Sequence, residues 1–198
     1  MLQIFLLSQS PRRYQLLTEA GYDIRVDSVK VSEIIDKNLN LPEAFMAVAE
    51  SKLEAYLQSV KVLNSNRYLF LSADTAVVFK DRLLGKPQDS VQAAEFLGLL
   101  SGRVHQVFTA ICLQHGPTGL RLGRVDKTSV QMKVLTEQEI QDYIATGEPL
   151  DKAGAYGIQG LGGNLVESIQ GSWSNVVGLP MELLERTINE QGWRVYRK

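Results

Sequence analysis

Tyr68 to Phe79 is the strongest strand signal in the chain, and Ser72-Ala73-Asp74-Thr75 interrupts it. A carboxylate inside such a run is costly unless it is paired, hydrogen-bonded or bound to a metal. Asp74 is therefore either a structural residue satisfied by backbone N–H groups or a residue with a chemical task. Strand-like runs and helical patterns alternate on both sides of it, and several of the strands look adjacent and antiparallel. The pattern predicts a mixed α/β fold, not a strictly parallel one.

In chain order, the mostly apolar run Leu2–Leu7 leads into Ser8-Gln9-Ser10-Pro11-Arg12-Arg13. Ser10 is a favoured N-cap and Pro11 is pre-set for the first helical position, so a helix starts here and stops at Gly21. Arg12 and Arg13 break the local rule. Cations in the first turn oppose the helix dipole, at about 0.3–1 kcal/mol each. A bound anion would reverse that sign; two solvated surface arginines are the plainer alternative. Tyr22 to Val31 reads as extended, ending near Ser32-Glu33. Pro42 opens a helix to about Val60 with an apolar stripe of Phe45, Val48, Ala49, Leu53, Tyr56 and Val60. Lys52 falls on that stripe, where an amine needs an anionic partner or a snorkelling route to water.

Further on, Lys80-Asp81-Arg82 reads as a turn, and Lys86, before Pro87, as extended. Asp89 or Ser90 caps a helix through Leu100, ending at Gly102. Val104–Leu113 and Leu120–Leu135 read as paired strands, and Thr136 with Glu139 as a capping box for a helix to Gly147. Gly147 to Gly163 is too rich in glycine for a regular helix or strand, and its glycines permit close backbone approach to a ligand. Asn164–Ile169 resumes a strand, Pro180 opens a last helix to Gln191, and Trp193–Tyr196 reads as an edge strand.

A net charge of −1 over 198 residues argues against a globally basic partner for a nucleic-acid polymer. No apolar run approaches the roughly 20 residues that span a bilayer. No signal-peptide pattern opens the chain, so the expected location is cytoplasmic. Cys112 is the single cysteine and reads as a small core residue. His105 reads as structural. Neither a Walker A pattern nor a Rossmann fingerprint is present.

The outliers are four cations (Arg12, Arg13, Lys52 and Lys86), the carboxylates Glu33 and Asp74, and a Gly-rich loop holding Gln159. Cations beside a helix N-terminus suit a polyphosphate, and carboxylates suit a hard divalent ion such as Mg²⁺ or Mn²⁺. At these residues the sequence resembles the Maf family of nucleoside triphosphate pyrophosphatases. The resemblance rests on Ser8 through Arg13, Glu33, Lys52, Ala73-Asp74-Thr75, Gly85-Lys86-Pro87, and Ser101-Gly102 with His105 and Thr109. It continues through Gly147–Gly160 and Asn175–Pro180, and so covers nearly the whole chain.

That resemblance implies a single family domain over residues 1–198, with an elongated α/β fold related to the inosine triphosphate pyrophosphatases. The substrate would lie in a cleft between two lobes. It implies metal-dependent hydrolysis of a nucleoside triphosphate to the monophosphate and pyrophosphate, with Asp74 as the proton acceptor and Arg12, Thr75 and Gln159 setting base specificity. Ala73-Asp74-Thr75 and Tyr156-Gly157-Ile158-Gln159-Gly160 match the branch acting on dTTP and UTP. The alternatives are the 7-methyl-GTP branch, or a nucleotide-binding regulator linked to septum formation. Trp173, where a tyrosine is usual, is a conservative departure. In this frame Ser8, Ser10, Arg12 and Arg13 grip phosphates, Lys52 and Lys86 add positive charge, and Glu33 and Asp74 hold the metal or face its bound water. A homodimer is expected from the resemblance alone.

Overall fold

A computed structural model describes residues 1–28, 31, 36, 39–59 and 65–198. Glu33, the end of the extended stretch expected after Tyr22, and Val60 lie outside the described residues. The strands are β1 (Gln3–Leu7), β2 (Ile24–Asp27), β3 (Tyr68–Phe79), β4 (Arg82–Leu84), β5 (Val104–His115), β6 (Arg121–Met132) and β7 (Val166–Gln170). The helices are α1 (Pro11–Glu19), α2 (Leu41–Ser59), α3 (Ser90–Leu100), α4 (Glu137–Ala145), α5 (Trp173–Val177) and α6 (Met181–Glu190). The strands form one seven-stranded sheet in the order β2-β1-β3-β5-β6-β7, with β4 paired to β3. β1 runs parallel to β2 and β3, whereas β3–β4 and β6–β7 are antiparallel. The sheet is mixed, as the pattern predicts.

Local chemistry sets the helix starts. The Ser10 hydroxyl accepts from the Arg13 N–H, Asp89 from the Gln92 N–H, and Thr136 and Glu139 form the reciprocal capping box. The short strand β4 and the short helix α5 were not expected from the sequence, and two further expectations shift. Gly147–Gly163 contains short 3-10 turns at Glu148–Asp151 and Ala153–Ala155, with another at Gly160–Leu165. Trp193–Tyr196 forms no strand; Val195 makes an isolated parallel bridge to Leu2, tied by Leu2 N–H to the Arg194 carbonyl and Tyr196 N–H to the Leu2 carbonyl.

The chain divides into two compact units. Unit 1 comprises Met1–Asp74, Thr109–Asp126 and Gly178–Lys198. The α2 stripe faces inward here, with Phe45, Ala49 and Leu53 fully buried. Phe5 anchors an aromatic group with Tyr56, Tyr68 and Phe70, at ring centroids 5.0–5.4 Å apart. Unit 2 comprises Thr75–Phe108 and Lys127–Val177. Its core gathers Val77, Leu84, Leu97, Val130, Met132 and Tyr143. Gly154 packs on β3 in this unit at φ +70°, and a Cβ there would lie 2.9 Å from Val77 Cγ1.

Leu53→Ala removes a fully buried side chain from α2 and leaves a cavity. Urea unfolding should show a loss of about 2–5 kcal/mol, with the m-value unchanged.

Candidate active site

In unit 1, Asp74 and Lys52 resolve each other. Lys52 Nζ donates to Asp74 Oδ1 at 2.7 Å, and both side chains are largely buried. An inward amine needs an anion and a carboxylate within an apolar strand needs a cation; here each is the other's partner. Ser72 sets the register. Its hydroxyl donates to the Ala49 carbonyl of α2 at 2.6 Å, three residues before Lys52, so α2 is held on β3 with the amine facing the carboxylate. Asp74 Oδ2 has no hydrogen-bond partner among the described residues.

Ser8, Ser10 and Arg13 also come together. Ser8 is buried, and its Oγ accepts from the Ser10 N–H at 3.2 Å and from Arg13 Nη1 at 3.1 Å. Arg13 Nε donates to the Gly178 carbonyl at 2.7 Å. Arg13 is therefore a buried residue that fastens the start of α1 to the Gly178 turn, and not a solvated surface cation. Arg12, beside it, is only partly buried.

Unit 2 holds the other candidates. Thr75 is half-buried on β3 and Lys86 is exposed after β4. The Gly154 N–H donates to the Gly85 carbonyl at 3.0 Å, so the loop carrying Lys86 is bound to the Gly-rich loop. Gln159 precedes the Gly160 turn in extended backbone, and its side-chain amide has no partner among the described residues.

His105 is buried on β5, with Nε2 2.7 Å from Tyr156 Oη and Nδ1 without a partner among the described residues. Burial lowers its pKa to about 4 and raises that of Tyr156. A neutral imidazole orienting a loop tyrosine fits the structural reading of His105. Burial likewise pushes the Cys112 thiol up to about 12, consistent with an inert core residue.

A family model described as Maf-like protein matches residues 3–191. The chain belongs to the Maf family. Similar relatives include proteins called dTTP/UTP pyrophosphatase from Bdellovibrio bacteriovorus and from Acetivibrio thermocellus. The first is 46% identical, covering 94% of this chain and 97% of that protein. The second is 42% identical and covers 100% of both. A third of the same description, from Desulfitobacterium hafniense, is 44% identical over 96% of this chain and 85% of that protein.

For this Maf-family chain, Ser72, Tyr143 and Glu148 are polar anchors that sequence reasoning did not single out. Ser72 was visible only as part of the interruption in β3. Tyr143 and Glu148 sat in ordinary helix and turn contexts, and nothing local marked their partners. Among the described residues no three His, Cys, Asp or Glu side chains form a metal-binding group. An Mg²⁺ ion is commonly held through one or two carboxylates plus substrate phosphates and water. Asp74, with Oδ2 open, fits that donor set. No helix among the described residues is long and apolar enough to cross a membrane.

Two measurements check this geometry. A double-mutant cycle of Lys52→Met and Asp74→Asn, read by chemical denaturation, should give a coupling energy of about 1–3 kcal/mol. His105 stays neutral in the folded protein but protonates near pH 6.5 when unfolded, so its contribution to stability is full above that value. It is lost as pH falls from about 6.5 through about 4. His105→Gln should flatten this part of the stability–pH curve, recorded as urea midpoints between pH 4 and 7.

Proposed function

We propose that this chain hydrolyses dTTP and UTP to the corresponding monophosphate and pyrophosphate with a divalent metal. The observation that carries the reading is the Asp74–Lys52 pair at Ala73-Asp74-Thr75 within the unbroken strand β3, in a chain matched over nearly its whole length by relatives called dTTP/UTP pyrophosphatase. Water attacks the α-phosphorus, and Asp74 accepts its proton as the new P–O bond forms. The bond from the α-phosphorus to the bridging oxygen breaks, and pyrophosphate leaves with that electron pair. Lys52 holds the carboxylate in place by charge and hydrogen bonding. Lys86 balances the negative charge on the leaving group.

Ser8, Ser10 and Arg12 serve the phosphates, and Arg13 contributes by fixing Ser8 and the start of α1. Arg12, Thr75 and Gln159 read the base, as the family resemblance implies. Gln159 suits the task because its amide carries both a donor and an acceptor. Glu33 and Asp74 would hold the metal or face its bound water, with Asp74 Oδ2 as the open carboxylate oxygen. When bound, such an ion neutralises phosphate charge and acidifies its bound water. A homodimer belongs to the same reading by resemblance, and a cytoplasmic setting is the expectation from the sequence pattern.

The test is pyrophosphate release with Mg²⁺ or Mn²⁺ across dTTP, UTP, CTP, ATP, GTP and 7-methyl-GTP, with a chelator control. Turnover should centre on dTTP and UTP and vanish with chelator. Asp74→Asn should remain folded and lose about 10²–10⁴-fold in kcat/KM. Turnover centred on 7-methyl-GTP would overturn the pyrimidine assignment. Near-normal turnover by a folded Asp74→Asn protein would remove Asp74 from the base role.

A further inference from the structure

The Gly-rich loop of unit 2 is held by a side chain for which the proposed reaction has no role so far. Glu148 Oε1 accepts from Tyr143 Oη at 2.9 Å and from the Gly162 N–H at 3.2 Å, and Oε2 accepts from the Leu161 N–H at 3.2 Å. Tyr143 Oη in turn accepts from the Gly157 N–H at 3.2 Å. Gln159 lies between these fastened points, with Gly157 tied on one side and Leu161 and Gly162 on the other. Glu148 is itself fixed, its N–H donating to Thr146 Oγ1 and its carbonyl accepting from Lys152 Nζ at 2.7 Å. The packing leaves no slack at Gly162, where an added Cβ would collide with the Tyr143 hydroxyl and the Gly157 backbone.

We infer that Glu148, directly on the Leu161 and Gly162 N–H groups and through Tyr143 on that of Gly157, is a positioning residue that sets the base-reading pose of Gln159. This rests on the reading of Gln159 as a base contact. An anionic acceptor shared by backbone N–H groups gives stronger hydrogen bonds than a neutral one. A preorganised amide discriminates because the wrong base leaves it unpaired, and a loosened loop relieves that penalty. Glu148→Gln keeps the shape but turns one acceptor oxygen into a donor, so one loop N–H loses its partner.

The experiment measures kcat and KM for dTTP and GTP with Glu148→Gln, Tyr143→Phe, Gln159→Ala and the Glu148→Gln/Gln159→Ala double variant. Circular dichroism and thermal melting confirm folding. Glu148→Gln should lower the dTTP-over-GTP preference about 10-fold, mainly through KM for dTTP, with kcat changing less. Tyr143→Phe should shift it the same way by less. The double variant should discriminate no worse than Gln159→Ala alone.

If Gln159→Ala retains full discrimination, the base-contact reading fails and this inference with it. If Gln159→Ala loses discrimination while folded Glu148→Gln or Tyr143→Phe retains it, positioning by Glu148 is overturned and the base contact stands. Equal loss of kcat for both nucleotides at unchanged preference would also overturn it. Should Glu148→Gln fail to fold, Tyr143→Phe decides on the same criteria.

Discussion

The contact that joins helix to strand in unit 1 is an ion pair between two largely buried side chains, Lys52 and Asp74. Lys52 sits on the apolar stripe of α2 and Asp74 within the long, buried strand β3, and the 2.7 Å contact between them gives each charge a partner, whereas removing one would leave the other poorly compensated. The Ser72–Ala49 hydrogen bond keeps α2 from sliding along β3, so the contact is a property of helix register as much as of charge. The same pair leaves one carboxylate oxygen open among the described residues, and the proposed chemistry needs an oriented, ionised acid there.

Unit 2 reaches definition by a different route. Its Gly-rich loop has no regular ladder, so side chains supply the restraint: Tyr143 and Glu148 on the backbone N–H groups, and His105 on Tyr156. Glycine at 154 and 162 answers packing against Val77, Tyr143 and Gly157. The close approach expected toward a ligand is, at these positions, an approach of the protein to itself. Rigidity of this kind suits the base-reading role proposed for the Gln159 amide.

Much of the fold was legible because it is local. The stripe of α2, the run of β3, and the caps Ser10, Asp89 and Thr136 with Glu139 all depend on residues within a turn or two of one another. The candidate site was legible as an inventory of outliers, since a cation on an apolar face and a carboxylate in an apolar run mark themselves. Arg13 shows the limit. It broke the helix-dipole rule as noted, yet its partner is the Gly178 carbonyl, 165 positions away, which no local pattern announces.

The sequence by itself determined the mixed α/β class, most of the longer helices and strands, the family, and the residue types on which the proposed phosphate, metal and base roles draw. Only the tertiary structure decided that Lys52 pairs with Asp74 across 22 positions, that His105 meets Tyr156 across 51, and that Glu148 reaches Leu161 across 13. The physical reason is range. Periodicity and capping are set by near neighbours along the chain, whereas the partner of a buried charge or hydroxyl is fixed only when separate segments pack and water is removed.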